Sequence, residues 1–454
     1  MAASRSVWIG ALLWGAVAAL AFSGTCDAAF TQDDFWLLQA LEQPLPNRAM
    51  FAGSLPDYVR PLPTWWFPWT NVQLFGLDAR GHHLSMLVLH AAATATWFVA
   101  LCRWTRSLLG ASLGVAVYGL CEVHLVPLGW IAGVGDPLCA LGTGAVMVAL
   151  ADRRERIWPL VVGFGFALLC KEHAVVFAAA FVGTLLVQRV AGDAIERADR
   201  RRLLAFAATG TVHAVYWLAT VQGSETGATL GLDPLRMGLV LRHSVLVVHP
   251  TIDHGDAISN LWVLGPPVLA AGTLWLGGRP ALRAVSFAML LWIAAAALFA
   301  FTRRPAFLED YYAHFSVLGL ALLAASLVAA VQRRWRSAWT DRCVALLVAA
   351  HALHALLART ADVADADTPS LRSARISAAF GQALAEGLAS DRARHVLVLD
   401  ATEATWWATG KGAQVPVCHP GVSVTFAGFG QDQQDGASAA LTLRQTGPHT
   451  FVRE

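Results

Sequence analysis

The chain has 454 residues, 56% of them hydrophobic and 14% charged, with a mean hydropathy of +0.52 and a formal net charge of +2. A soluble domain usually carries about 25% charged residues. Water cannot solvate a surface this poor in charge, so lipid must cover most of it, and the small net charge speaks against a nucleic-acid partner.

Apolar runs near the spanning length of about 20 residues recur along the chain, at about 7–26, 84–102, 108–128, 131–151, 157–170, 174–188, 203–221, 260–277, 284–301, 313–331 and 342–358. They predict an all-α polytopic membrane domain of about eleven transmembrane helices over 1–359. A small α/β or mixed soluble domain over 360–454 follows, with a helix at 371–389 and a buried strand at 395–399. Two further non-spanning regions are expected. One is a first outer loop at 27–83. The other is a loop at 222–259 whose residues 235–248 read as an amphipathic helix at the membrane surface.

Arginines orient the chain. With the N-terminus in the cytoplasm, the inner loops hold about 17 basic residues in roughly 47 positions, and the outer loops about 8 in roughly 117, the C-terminal tail set aside. This places the tail domain in the periplasm or lumen, in what reads as a bacterial inner membrane. The first run also fits a cleaved signal peptide. Residues 157–188 are apolar except for Lys171-Glu172-His173. A single helix there would be about 48 Å long, well beyond a hydrocarbon core of about 30 Å. A hairpin that turns at Lys171-Glu172 is expected instead.

The candidate chemistry lies on the outer side. Thr31-Gln32-Asp33-Asp34-Phe35-Trp36 follows the first run. Its carboxylates read either as a helix N-cap or as a general base, with a divalent cation beside them left open. Arg60, next to Tyr58, is suited to clamping a phosphate with a bidentate guanidinium. His82, His83 and His90 follow. Glu122, His124 and Asp136 lie near the outer ends of adjacent spans, where ionisable groups either act or snorkel. Lys171 and Glu172 read as a neutralising pair at a turn or, alternatively, as a phosphate-holding lysine. Arg303 and Arg304, ahead of Glu309, place cations where an anionic headgroup binds. His249, Asp253, His254 and Asp256 form a weak metal-like cluster. Most cysteines sit in apolar runs. A disulfide between Cys26 and Cys418 depends on geometry alone.

In this order the segments resemble the GT-C class of polytopic glycosyltransferases, nearest to the protein O-mannosyltransferase-type branch, the membrane half of the transmembrane and tetratricopeptide-repeat mannosyltransferases and their bacterial relatives. The matching stretches are Asp33-Asp34-Phe35, Tyr58-Val59-Arg60-Pro61-Leu62 and Gly76 to His90. They continue with Val123-His124 to Asp136, Leu168 to Glu172, and Glu309 to Tyr312. The resemblance implies inverting transfer from a polyprenyl-phosphate-linked sugar to a hydroxyl on a glycan, lipid or protein acceptor. Asp33 and Asp34 would be the catalytic carboxylates. Arg60, Lys171, Arg303 and Arg304 would hold the donor phosphate, with Tyr58, His83, His124, Asp136, Glu172 and Glu309 in support. Val59 is an insertion relative to that pattern, Val134 and Asp310 stand where arginines are expected, and the tail lacks tetratricopeptide repeats. A lipid-linked glycan polymerase or ligase, a transporter or flippase, and a non-catalytic family member are the competing expectations.

Overall fold

The computed structural model describes residues 5–42, 60–152, 156–220, 234–248, 263–300, 313–365, 369–390, 395–399, 414–419, 422–426, 441–447 and 450–453, together with 402, 405, 408 and 409. Tyr58, Val59, Arg303, Arg304, Glu309, Asp310 and the cluster of His249, Asp253, His254 and Asp256 lie outside them.

The first helix, α1 (Arg5–Ala21), leads to a short α2 (Asp33–Glu42), and a turn of π-helix (Leu62–Trp66) runs into α3 (Phe67–Phe75). The bundle continues with α4 (Ala79–Thr105), α5 (Leu108–Gly119), α6 (Leu125–Gly129), α7 (Gly135–Ala151), α8 (Trp158–Cys170), α9 (Val175–Val190) and α10 (Arg197–Thr220). It is completed by α11 (Pro234–Leu246), α12 (Gly265–Gly277), α13 (Leu282–Ala300), α14 (His314–Arg334) and α15 (Ala338–Ala364). Helix starts follow local capping chemistry. The side chain of Asp78 accepts from the Arg80 amide, Ser107 from Gly110 and Ser337 from Thr340.

All eleven apolar runs coincide with helix, but the expected count of about eleven crossings is not reached by length. Seven described helices are long and apolar enough to cross a membrane, or eight if the pair 108–119 and 122–129, bent by 49°, counts as one span. The 13-residue helices α8 and α12 are each about 20 Å long, short of a full crossing. Large apolar side chains on the outside of the bundle, such as Leu12, Val190, Val212 and Trp275, are exposed, as expected where lipid is the solvent. The protein is an integral membrane protein.

The chain reverses at Lys171, as the length argument requires. The ring of Phe164 on α8 lies 4.8 Å from that of Phe206, and the ring of Phe181 on α9 lies 5.5 Å from the same residue. In one straight helix Phe164 and Phe181 would be about 25 Å apart and could not share a partner.

The central helix is α14, of which 83% of the apolar window is buried, against 11% for α10. Small residues let its neighbours approach. A Cβ placed on Gly319 would lie 2.7 Å from the Ala288 carbonyl oxygen, and one on Gly114 would lie 2.8 Å from that of Ala321. The 235–248 segment is helical, as α11, but it packs on the bundle. Val240 and Leu246 are buried, and Trp292 Nε1 donates to Ser244 Oγ at 2.8 Å.

The C-terminal part forms α16 (Pro369–Ser390), β1 (His395–Leu399), α17 (Gln414–Cys418), β2 (Ser423–Phe426), β3 (Leu441–Gly447) and β4 (Thr450–Arg453). The sheet order is β2-β1-β3-β4. β1 is parallel to both neighbours, and β3 and β4 pair antiparallel. Phe380 and Leu384 of α16 pack on Val396, Val398, Leu441 and Leu443. Cys26 and Cys418 are both free thiols, so no disulfide joins the domain to the first loop.

Gly319→Ala is expected to destabilise the protein by about 1–3 kcal/mol, because backbone atoms cannot yield cheaply to the added methyl group. Gly272→Ala, which has nothing within 4 Å of its Cβ position, serves as the control. Thermal denaturation in detergent separates the two.

Candidate active site

Asp33 and Asp34 open α2, and the two carboxylates do different work. Asp34 is 2% exposed. Its Oδ2 accepts from the Thr31 amide at 3.0 Å and its Oδ1 from the Ala132 amide at 2.7 Å. The Thr31-to-Asp34 spacing is that of a capping box, with the acidic residue reaching back to the amide of the helix start. Asp34 thus supplies the reach-back bond of the box, one of the roles the sequence left open for these carboxylates. The bond to Ala132 extends the cap into a tie between the first loop and the 3₁₀ turn Ile131–Val134, which precedes α7. Burial pushes the Asp34 carboxyl from 3.8 up to about 7, against the lowering effect of the amides of Thr31, Ala132 and Ile131. Asp33, next to it in the first helical turn, is half-buried.

One helical turn beyond Ala132 stands Asp136, 3% exposed. Lys171 Nζ donates to its Oδ1 at 2.5 Å, and both side chains are nearly inaccessible. Glu172 points to another partner. Arg60 Nε donates to its Oε2 at 2.7 Å and a second guanidinium nitrogen donates to Oε1, giving a bidentate pair. Lys171 and Glu172 therefore do not neutralise each other, and this corrects the reading of them as one pair. Two cations and two carboxylates from distant stretches form crossed pairs at the hairpin turn. The Lys171 pair is sealed, whereas the side chains of Arg60 and Glu172 keep 20% and 37% of their exposure. The π turn after Arg60 brings Pro63 against Gly135 and the Cys170 carbonyl side of the hairpin.

Beside this network is a buried cluster of rings. His90 and His124 lie 4.3 Å apart between centroids, His124 and His314 5.1 Å, and Tyr118 and His124 4.7 Å. His124 Nε2 donates to the Tyr118 carbonyl, His90 Nε2 to that of Gly119, and His83 Nδ1 to that of Leu128. His83 and His124 thus brace turns of the bundle. Both nitrogens of His314 and the Tyr118 hydroxyl are buried with no hydrogen-bond partner among the described residues. His314 lies within electrostatic reach of Asp136. Among the described residues no group of three or more His, Cys, Asp or Glu is placed to hold a metal ion.

Sequence reasoning missed His314 and Arg359. Arg359, 1% exposed, meets Glu122 at 3.4 Å and Asp362 at 2.8 Å. Its position at the edge of an apolar run made it look like a flanking residue, and its partner Glu122 lies far away in the chain. Val134 is fully buried in the core, so the arginine expected there would have had no room. The role of the tail domain was also not foreseen. Ala408 O accepts from the Gln32 amide at 2.9 Å and from Thr31 Oγ1 at 3.1 Å, and Val417 packs with Phe30, Phe35 and Leu38. Gln32 itself takes φ 51°, a left-handed conformation held by these contacts.

The chain superposes on the crystal structure of ArnT from Cupriavidus metallidurans bound to undecaprenyl phosphate with a TM-score of 0.56. Sequence identity is 14%, and the match covers 93% of this chain and 86% of that one. The apo-state structure of the same protein gives a TM-score of 0.50 at 15% identity over the same shares. No protein-family model and no curated protein matches the chain. At this identity the likeness shows the fold alone, a polytopic helical bundle like that of the ArnT structure.

Asp34→Asn is expected to destabilise the protein by about 1–3 kcal/mol, because one amide donor would then face an NH₂ group. The pH dependence has a definite sign. The folded state holds the Asp34 proton more tightly than the unfolded state, so this group favours folding most below pH 3.8. Stability falls as pH rises to about 7 and then levels. Denaturant titrations across that window should show the slope in the parent and its loss in Asp34→Asn.

Proposed function

We propose that the protein is a membrane glycosyltransferase that moves a sugar from a polyprenyl-phosphate donor to a hydroxyl acceptor, with inversion, on the non-cytoplasmic side. The observation that carries this reading is a continuous chain of contacts. Asp34 bonds the amide of Ala132, four residues before Asp136 in the chain, Asp136 pairs with Lys171, and the adjoining Glu172 pairs with Arg60. All of it lies at one end of a bundle with a GT-C-type fold. The neighbouring ArnT crystal structure, with undecaprenyl phosphate bound, supports a lipid-linked donor.

In this mechanism Asp33 is the base. The acceptor oxygen forms a bond to the anomeric carbon, and its proton passes to the Asp33 carboxylate. The bond from the anomeric carbon to the phosphate oxygen breaks, and its electron pair leaves with the polyprenyl phosphate. Asp34 holds Asp33 in place, since its own oxygens are committed to backbone amides. Arg60 is the cation that meets the leaving phosphate, exchanging Glu172 for it at the accessible pair. Lys171, sealed against Asp136, contributes its field from behind. Preorganised cations near the departing charge are worth more in a site that excludes water. Arg303, Arg304 and Glu309 remain candidates for the donor headgroup, and Tyr58 for the acceptor side. The resemblance of the sequence segments to O-mannosyltransferases guides which sugars to test first.

The test offers the purified protein, in lipid nanodiscs, radiolabelled polyprenyl-phosphate sugars together with lipid, glycan and peptide hydroxyl acceptors. Asp33→Asn should lower transfer by at least about 100-fold while the protein stays folded. Full turnover in Asp33→Asn would overturn the assignment of the base. Arg60→Gln should raise the donor KM, and Lys171→Met should cost about 3–5 kcal/mol of stability, because it strands Asp136 without its partner.

A further inference from the structure

The opposite end of the bundle holds a cavity of about 1470 Å³ that the sugar-transfer chemistry does not use. It is formed where the ends of α4, α7 and α14 meet the starts of α5, α10, α13 and α15. Among the described residues, six arginines line it, Arg103, Arg106, Arg202, Arg283, Arg333 and Arg336, against three carboxylates, Asp152, Glu196 and Asp341.

Internal pairing leaves part of this charge uncompensated. Arg202 and Arg283 share Asp199, at 2.9 and 2.8 Å, and Asp341 accepts from Gln332 Nε2 at 2.7 Å. Arg333 reaches only the Thr105 carbonyl, at 3.5 Å, and it lies close enough to Arg106 for the like charges to repel. Among the described residues, Arg103, Arg106 and Arg336 have no carboxylate partner.

The conformation of Arg106 is a separate observation. It ends α4 with φ 58° and ψ 29°, in the left-handed region. Glycine is the residue that occupies this position at a helix end without strain. Arginine at this position carries a conformational cost, and its side chain lines the cationic cavity.

We propose that this cavity binds the phosphate headgroup of an anionic phospholipid in the leaflet at that end. Guanidinium groups suit phosphate oxygens, and basic pockets between helix ends take lipid headgroups. A lipid is favoured over a free phosphate by the rim itself. Leu108 of the lining is 45% exposed, and Trp335 and Trp339, which flank the lining residues Arg336 to Ala338 in the chain, are 50% and 72% exposed, as apolar and indole groups are at headgroup depth.

Native mass spectrometry of the detergent-solubilised full chain tests this, with dioleoyl-phosphatidylglycerol, dioleoyl-phosphatidylcholine and inorganic phosphate as probes. Phosphatidylglycerol should be retained at lower concentration than phosphatidylcholine. Arg106→Gly should weaken its retention about fivefold, and Arg106→Gly with Arg336→Gln about thirtyfold. Arg106→Gly should melt no lower than the parent, because it relieves the left-handed strain, so lost binding cannot be ascribed to misfolding. Arg189→Gln, an exposed arginine outside the cavity, should leave retention unchanged. Equal retention of the two lipids would overturn the proposal, as would unaltered binding in the cavity variants. Complete displacement by millimolar inorganic phosphate would also overturn it, by assigning the site to a soluble anion.

Discussion

A lysine and an aspartate 35 residues apart in sequence meet at 2.5 Å in a place that water barely reaches. Removing either charge from solvent is expensive, and only close mutual approach offsets the loss. That requirement fixes the turn at Lys171 against the start of α7, and the turn in turn sets where Glu172 can find Arg60. The hairpin, the π turn and the first loop are therefore positioned together. One oxygen of Asp34 extends the same constraint to the segment that carries Asp33.

Much of the bundle was legible in the amino-acid sequence because lipid imposes a length. Apolar runs had to become helices, and the stretch 157–188 was too long for one crossing, so the reversal at Lys171 followed from arithmetic. Arg103, Arg106, Arg202, Arg283, Arg333 and Arg336, six of the arginines that the sequence assigns to inner loops, line one cavity. Other features were not legible, for physical reasons. Lys171 and Glu172 are adjacent and opposite in charge, so a pair seemed natural. The backbone at Lys171 is extended, with φ −160° and ψ 124°, and it leads straight into a 3₁₀ turn. Consecutive side chains diverge from such a backbone, and each meets a partner from another element.

The carboxylates of the first loop were harder still to read. A capping box and a catalytic dyad place the same residue types at the same spacing. Only the tertiary partner, the amide of Ala132, marks Asp34 as the residue that holds the loop. His314 escaped notice for a similar reason. A lone histidine at the start of an apolar helix carries no signal until His90, His124 and Tyr118 are seen around it.

The bond from the Gln32 amide to the Ala408 carbonyl joins residues that ribosomes make far apart in time. The loop bearing Asp33 emerges early, but its left-handed turn has no template until a segment 377 residues downstream of Thr31 has folded against it. The first-loop segment that carries the proposed base therefore takes its final shape last, after the C-terminal part has been synthesised.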